Sequence, residues 1–221
     1  MQCYKLPAKI SALIFDMDGT LYTHAEYLQG QIDGMIRRLG QVRGKSFETM
    51  RDAIEAYQDV WTRDHGGRKC SLGNALDAFG ISVEESVRWR EEMIEPGLYI
   101  RADGNLKSTL GLLAKNYALA VITNNPILVA RKTLSCLGVT EFFSVIIGLD
   151  TCGVSKPHIK PFIKAAELLG VPPDACVSIG DRYDIDILLP LELGMGGILV
   201  DGVADVYKLK ELDRPGFSCN P

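Results

Sequence analysis

The feature that most constrains this chain is a series of short, unbroken apolar runs, each closed by polar residues or glycine. Residues 10–16, ISALIFD, form the first. Others follow at 118–123 (ALAVIT), 144–149 (SVIIGL), 176–180 (CVSIG) and 197–200 (GILV). A strand that is apolar along its whole length is buried on both faces, the condition of a strand inside a parallel sheet. Helical patterns at 105–115, 126–137, 161–169 and 185–193 lie between the runs. Strands alternating with helices of this length predict right-handed βαβ units. The expected fold is therefore α/β, with a doubly wound parallel sheet.

Residues 22–96 break that rhythm. They contain no convincing strand and read as helices near 28–39, 47–61, 72–79 and 83–94. Ser46 and Ser71 suit helix caps, and Ser82 with Glu85 has the form of a capping box. Pro96-Gly97 punctuates the return to the α/β pattern. The expected organisation is a core made of residues 1–21 and 97–221, with residues 22–96 inserted as a helical domain. A length of 221 residues suits one core plus a modest insertion.

The balance of charge is mildly acidic, with net charge −4 and pI about 5.5. That excludes the basic surface on which nucleic-acid binding usually rests. Six scattered cysteines without a CxxC pair read mostly as small buried residues or free thiols, as in a reducing compartment. The opening MQCYKLPAKI lacks the apolar stretch of a signal peptide. The most apolar stretch, 187–200, is broken by Pro190 and Glu192 and is too short for a bilayer. The expectation is a soluble cytoplasmic protein with no membrane partner; its oligomeric state is not legible.

Chemistry gathers at the carboxyl ends of the runs, where open α/β sheets bind ligands. Asp16-Met17-Asp18-Gly19-Thr20-Leu21 closes the first. Two carboxylates so close after a buried strand call for a cation or a proton, and Gly19 lets backbone approach an oxyanion. A plain strand-to-turn exit uses the same residue types. Thr123-Asn124-Asn125-Pro126 closes the second run, with Asn125 suited to the N-cap and Pro126 to the first helical turn. Thr123 and Asn124 then flank a helix N-terminus, where anions are favoured, though an ordinary capping loop reads the same way. Lys156, held extended by Pro157, precedes the helix expected to begin at Pro161. It is either a solvated lysine or a cation for phosphate and Asp16. Gly180-Asp181-Arg182-Tyr183-Asp184-Ile185-Asp186 ends the fourth run. Its acids suit a hard cation such as Mg²⁺, or simply an acid-rich helix start.

Taken together, these segments resemble the four motifs of the haloacid dehalogenase-like superfamily, in its phosphoglycolate phosphatase/β-phosphoglucomutase-like subgroup. DMDGT looks like motif one, Thr123 motif two, Lys156 motif three and GDRYDID motif four. The likeness covers the core and implies a Rossmann-like domain with a first-type helical cap. It implies a phosphatase acting on a small phosphorylated substrate. Asp16 would be the nucleophile and Asp18 the general acid and base. Thr123 and Lys156 would bind the phosphoryl group, with Gly19 and Asn124 beside it. Mg²⁺ would be held by Asp16, the Asp18 backbone carbonyl and Asp181, with Asp186 in indirect support.

The resemblance leaves rivals. The dehalogenase branch lacks the second aspartate, which is present here as Asp18. A phosphonate hydrolase would need a Schiff-base lysine from the cap, which offers Lys45 and Lys69. A sugar phosphomutase shares all four motifs, and a non-catalytic binding module on this fold would have lost the acids. Substrate choice is expected in the cap. There the run from Arg63 through His65 to Arg68 and Lys69 reads either as a specificity loop or as a solvated connection.

Overall fold

The computed structural model describes residues 1–212; Cys219, and residues 213–221 of the expected core, lie outside the described residues. Six strands form one sheet: β1 (Gln2–Tyr4), β2 (Ala12–Phe15), β3 (Ala118–Ile122), β4 (Val145–Ile147), β5 (Cys176–Gly180) and β6 (Gly196–Leu199). Their spatial order is β1-β6-β5-β2-β3-β4. The strands from β2 to β6 pair in parallel, so the five apolar runs all became strands of a doubly wound sheet.

The pleat divides each run between two cores. Leu13, Phe15, Leu119, Val121, Val177 and Ile179 face one way, onto a large cluster. Ala12, Ile14, Ala120, Ile122 and Cys176 face the other way. In register, Leu13 stands between Leu119 and Val177, so a one-residue slip of β2 would exchange the faces.

Four helices lie between β2 and β3: α1 (Ala25–Arg43), α2 (Phe47–Asp64), α3 (Leu72–Ala78) and α4 (Val83–Met93). Ser46, Ser71 and Ser82 each accept a hydrogen bond from the backbone N–H three residues on, as their positions predict. These helices bury their own cluster, including Met35, Leu39, Ile54, Leu76 and Trp89. The later helices are α5 (Gly104–Leu113), α6 (Ile127–Leu137), α7 (Leu149–Cys152), α8 (Ile159–Leu169), α9 (Leu188–Glu192) and α10 (Val203–Val206). Helix α6 packs on the first sheet face and α8 on the second. Among the described residues, no helix is long and apolar enough to cross a membrane.

Several sequence expectations are corrected. Strand β1 was not foreseen and pairs antiparallel with β6, so the sheet is not wholly parallel. Residue 149 opens α7 instead of ending β4. Helix α8 starts before Pro161, with the His158 ring accepting from the Lys160 N–H. Asn125 does not cap α6; the Ile127 N–H is instead capped by Asp150 at 3.0 Å. That frees the Asn125 side chain for another use.

Candidate active site

Strand β2 delivers Asp16, and the chain turns at once: the N–H groups of Thr20 and Leu21 both donate to the Met17 carbonyl. Asp16 is buried. Its Oδ1 accepts from Lys156 Nζ at 2.6 Å, and its Oδ2 from the Thr20 hydroxyl at 3.3 Å. Lys156 is only 1% exposed. It also donates to Asp186 Oδ1 at 2.6 Å and to the Ile122 carbonyl at 3.1 Å. Three donors thus meet three acceptors, which is what an ammonium removed from water requires.

Asp186 reaches this cluster because the helix after β5 is irregular. Residues Tyr183–Ile187 form a π-helical turn before α9. Pro190 has no N–H to offer the Asp186 carbonyl four residues earlier. Ser178 on β5 takes that place, its hydroxyl donating to the carbonyl at 2.7 Å. Asp186 Oδ2 accepts from the Arg182 N–H at 3.2 Å. Gly180 makes the approach possible: a Cβ there would stand 2.3 Å from the Cβ of Asp186.

Asp181 completes an acidic group. One oxygen each from Asp16, Asp181 and Asp186 lie within 4.8 Å of one another. Burial raises the Asp16 pKa to about 7 against the pull of Lys156, and Asp186 adds to the rise. Asp181 is raised by burial and then by Asp186. Crowded carboxylates in a low dielectric resist ionisation until a cation relieves them. Asp181 Oδ1 is buried with no hydrogen-bond partner, although Arg182 Nε lies 3.8 Å away. An orphaned carboxylate oxygen facing two further acids is the donor set a hard divalent cation takes. The residues fit the Mg²⁺ that the resemblance implies.

Gly19 has φ of 86°, and a Cβ there would lie 2.5 Å from Asp181 Oδ2. Gly19→Ala is therefore expected to lower stability by about 1–3 kcal/mol through backbone strain and to displace Asp181. Thermal melts with and without MgCl₂ test this. The variant should lose most of any Mg²⁺-induced rise in Tm; an unchanged rise would contradict this account of the glycine.

Asp18, half-buried, is held by side chains from both the core and the helical insertion. Thr123 Oγ1 donates to its Oδ2 at 3.0 Å, and Asn125 Nδ2 lies 3.2 and 3.0 Å from its two oxygens. Tyr22 donates to Oδ1 at 2.5 Å and Gln31 Nε2 at 3.3 Å. Burial and then the Asp18 charge push the Tyr22 hydroxyl well up, so it stays a donor. Asn125 also donates to Gln31 Oε1 at 3.0 Å. Gln31 and the use of Asn125 were not legible in sequence: Asn125 read as a helix cap, and Gln31 is one polar residue of a long helix.

The other expected site residues fall as follows. Asn124 spends its side chain on the Lys156 backbone, donating to the carbonyl at 3.0 Å and accepting from the N–H at 2.7 Å. It joins two loops at the strand ends. A cavity of about 420 Å³ lies between those loops and the helical insertion, walled by Asp18, Asn124, Asn125 and Asp181 on the core side. Neither Arg63 nor Arg68 lines it. Arg68 pairs instead with Glu192 at 3.3 Å, and the Lys69 N–H donates to Asp184 at 3.2 Å. That loop clips the insertion to the core, which also gives Asp184 its partner. His65 stacks on Trp61. Lys45 and Lys69 do not line the cavity either. Four cysteines, Cys70, Cys136, Cys152 and Cys176, are free thiols.

The arrangement gathers a buried carboxylate, a buried ammonium, a second aspartate and an acidic cluster at adjacent strand ends. A family model for the haloacid dehalogenase-like hydrolases matches residues 10–192. The chain belongs to the haloacid dehalogenase-like hydrolase family. This hydrolase is 29% identical over 177 residues to a phosphoglycolate phosphatase of Aquifex aeolicus, covering 79% of this chain and 77% of the relative. It is 27% identical over 221 residues to a glyceraldehyde 3-phosphate phosphatase of Methanothermobacter thermautotrophicus, covering 94% and 93%. A solved phosphatase of the family from Thermococcus onnurineus superposes with a TM-score of 0.56 at 23% identity, covering 86% of each chain. At that identity the superposition speaks for the fold.

Proposed function

We propose that this hydrolase is a Mg²⁺-dependent phosphomonoesterase that acts on a small phosphorylated metabolite through an aspartyl phosphate on Asp16. The observation that carries the reading is the joint placement of Asp16, Asp18, Lys156 and the acidic cluster at one edge of the sheet. The names of its relatives agree with it. Residues 22–96 are proposed as the cap over the site.

Asp16 attacks phosphorus with one carboxylate oxygen. Lys156 holds the other oxygen and neutralises charge, so an anion can approach an anion. Bound Mg²⁺, held by Asp16, Asp181 and the Asp18 backbone carbonyl, would supply Lewis-acid stabilisation of the phosphoryl oxygens. Asp18 gives a proton to the leaving alkoxide as its bond to phosphorus breaks. The resulting carboxylate then takes a proton from water. That water cleaves the acyl phosphate and returns Asp16 and inorganic phosphate. Dividing hydrolysis in this way replaces one hard displacement with two easier ones. Thr123 keeps the Asp18 carboxylate aimed, and Gly19 leaves the space that Asp181 needs.

The test is phosphate release from a panel of phosphorylated metabolites with MgCl₂ or with chelator. Turnover is expected only with the metal. Because Asp16 and Asp181 have raised pKa values, protons compete with the cation. The Mg²⁺ concentration needed for half-maximal rate should therefore fall as pH rises towards and through about 7. Full turnover in chelator, or a metal requirement independent of pH, would contradict the reading. Phosphate passed to a sugar in place of water would move it to a mutase.

A further inference from the structure

Three arginines line the cavity between core and insertion: Arg51, Arg90 and Arg182. Two have acidic partners. Arg51 lies 3.6 Å from Asp52 and 3.8 Å from Glu55. Arg182 lies 3.8 Å from Asp181 and 3.9 Å from Asp186. Arg90, on α4, differs. It is 5% exposed, and its hydrogen-bond partners among the described residues belong to its own helix. Nη1 donates to the Ser86 hydroxyl, and to the Ser86 carbonyl at 3.3 Å. Among the described residues, Arg90 has no carboxylate within ion-pair distance, and its Nε and Nη2 donors have no acceptor.

A cation withdrawn from water without a counter-ion is costly, and side chains of this kind are almost always paired. Burial holds the Arg90 pKa down to about 10, and the charge that most opposes this is Asp18, a catalytic carboxylate on the cavity wall. The fork of a guanidinium matches a carboxylate in a planar, two-point contact.

We propose that Arg90 is the specificity residue of the cap, selecting phosphomonoesters whose leaving group carries a carboxylate. This inference rests on the phosphatase reading: phosphorus sits at Asp16 and the far end of a short substrate meets Arg90. A cavity of about 420 Å³ suits a molecule of that size. A monoanionic carboxylate fits better than a second phosphate. The remaining cations are committed to acids, and Asp33 and Glu55 also line the cavity and would repel further negative charge.

The test compares 2-phosphoglycolate with ethyl phosphate, which has the same two carbons and no carboxylate, in wild type, Arg90→Met and Arg90→Lys. Wild type should prefer 2-phosphoglycolate in kcat/KM. Arg90→Met should reduce that preference about a hundredfold, mostly through KM, the usual range for removing one partner of a buried charge pair. Arg90→Lys should retain part of it. Melting temperature separates recognition from a structural role, since losing an unpaired buried charge should leave Tm unchanged or raise it. The same pair of ligands is titrated calorimetrically into Asp16→Asn with and without Arg90→Met. An Arg90-dependent preference in binding, together with a wild type that hydrolyses nothing, would overturn the phosphatase reading and keep this one. Turnover without preference for the carboxylate, or equal loss on both substrates in Arg90→Met, would overturn the inference and leave the phosphatase reading intact.

Discussion

Asp16→Asn is expected to reduce phosphate release at least about ten-thousandfold, because removal of a covalent nucleophile takes away the pathway itself. The substitution is nearly isosteric, so the fold should survive. The amide oxygen can still accept from Lys156, and the amide NH2 can donate to the Thr20 hydroxyl oxygen, but that amide is a poor nucleophile for phosphorus. Stability should change in a definite direction. Asp16 is buried beside two other acids and one lysine, and its raised pKa shows a carboxylate whose ionised form is disfavoured by burial. A folded-state pKa of about 7 against an ordinary 3.8 means that the folded protein binds the extra proton between those values. The destabilising effect of Asp16 is therefore absent at low pH and grows as pH rises towards 7. Without metal, Asp16→Asn should be at least as stable as wild type above neutrality, with the advantage fading towards pH 5. Denaturant midpoints across pH check this. A variant that loses stability together with activity would mean that Asp16 serves the fold instead of the reaction.

Lys156→Met carries the second large effect. Here the loss should appear in both stability and activity. The ammonium is the shared partner of Asp16 and Asp186, at 2.6 Å from each. Its removal leaves two buried carboxylates facing one another, which typically costs about 3–5 kcal/mol. Burial alone would lower the Lys156 pKa, but Asp16 and Asp186 reverse that and hold it above the ordinary lysine value. The lysine thus stays charged throughout the working range. In the variant, the Asp16 carboxyl loses the pull of Lys156 and should shift further upward in pKa. The destabilisation should accordingly be largest above neutral pH and shrink as pH falls and Asp16 protonates. Adding Asp186→Asn removes one of the stranded charges and should recover part of the lost stability, a coupling that a double-mutant cycle measures directly. Simple additivity of the two substitutions would show that the pair is not coupled as the geometry indicates. Activity should not return in the double variant, because the ammonium that held Asp16 and offset its charge against an incoming phosphate is still missing.

Much of this architecture is written in periodicity. Unbroken apolar runs ending in Asp, Thr or Gly fixed the central strands, their parallel pairing and the edge of the sheet where the polar residues meet. Strand β1 escaped because Gln2–Tyr4 is three residues long and mixed in character. Its place at an edge is decided by pairing with β6, and a local pattern does not encode pairing. The π-turn escaped for a similar reason. Residues 183–187 read as an ordinary helix start, and only the proline at 190 hints that the Asp186 carbonyl needs a partner elsewhere.

The insertion shows the opposite limit. Sequence draws attention to the charged loop around Arg63 and Arg68, where glycines and cations cluster. In three dimensions that loop clips the two units together through Arg68 and Lys69. Arg90 is inconspicuous inside the charged stretch of α4. Its helical spacing does carry a signal: Ser86, Trp89 and Arg90 lie at steps of three and four, and all are buried. A charged residue on an otherwise buried stripe is the kind of exception that marks a ligand contact.

The central claim is that phosphorus becomes bonded to Asp16. Acid quenching during turnover, followed by peptide mass spectrometry, tests it most directly. The account predicts one phosphoryl group on the peptide that contains Asp16, in wild type with MgCl₂ and substrate, and none in Asp16→Asn. Turnover with no phosphorylated peptide at any quench time, or with the phosphoryl group on another residue, would contradict it.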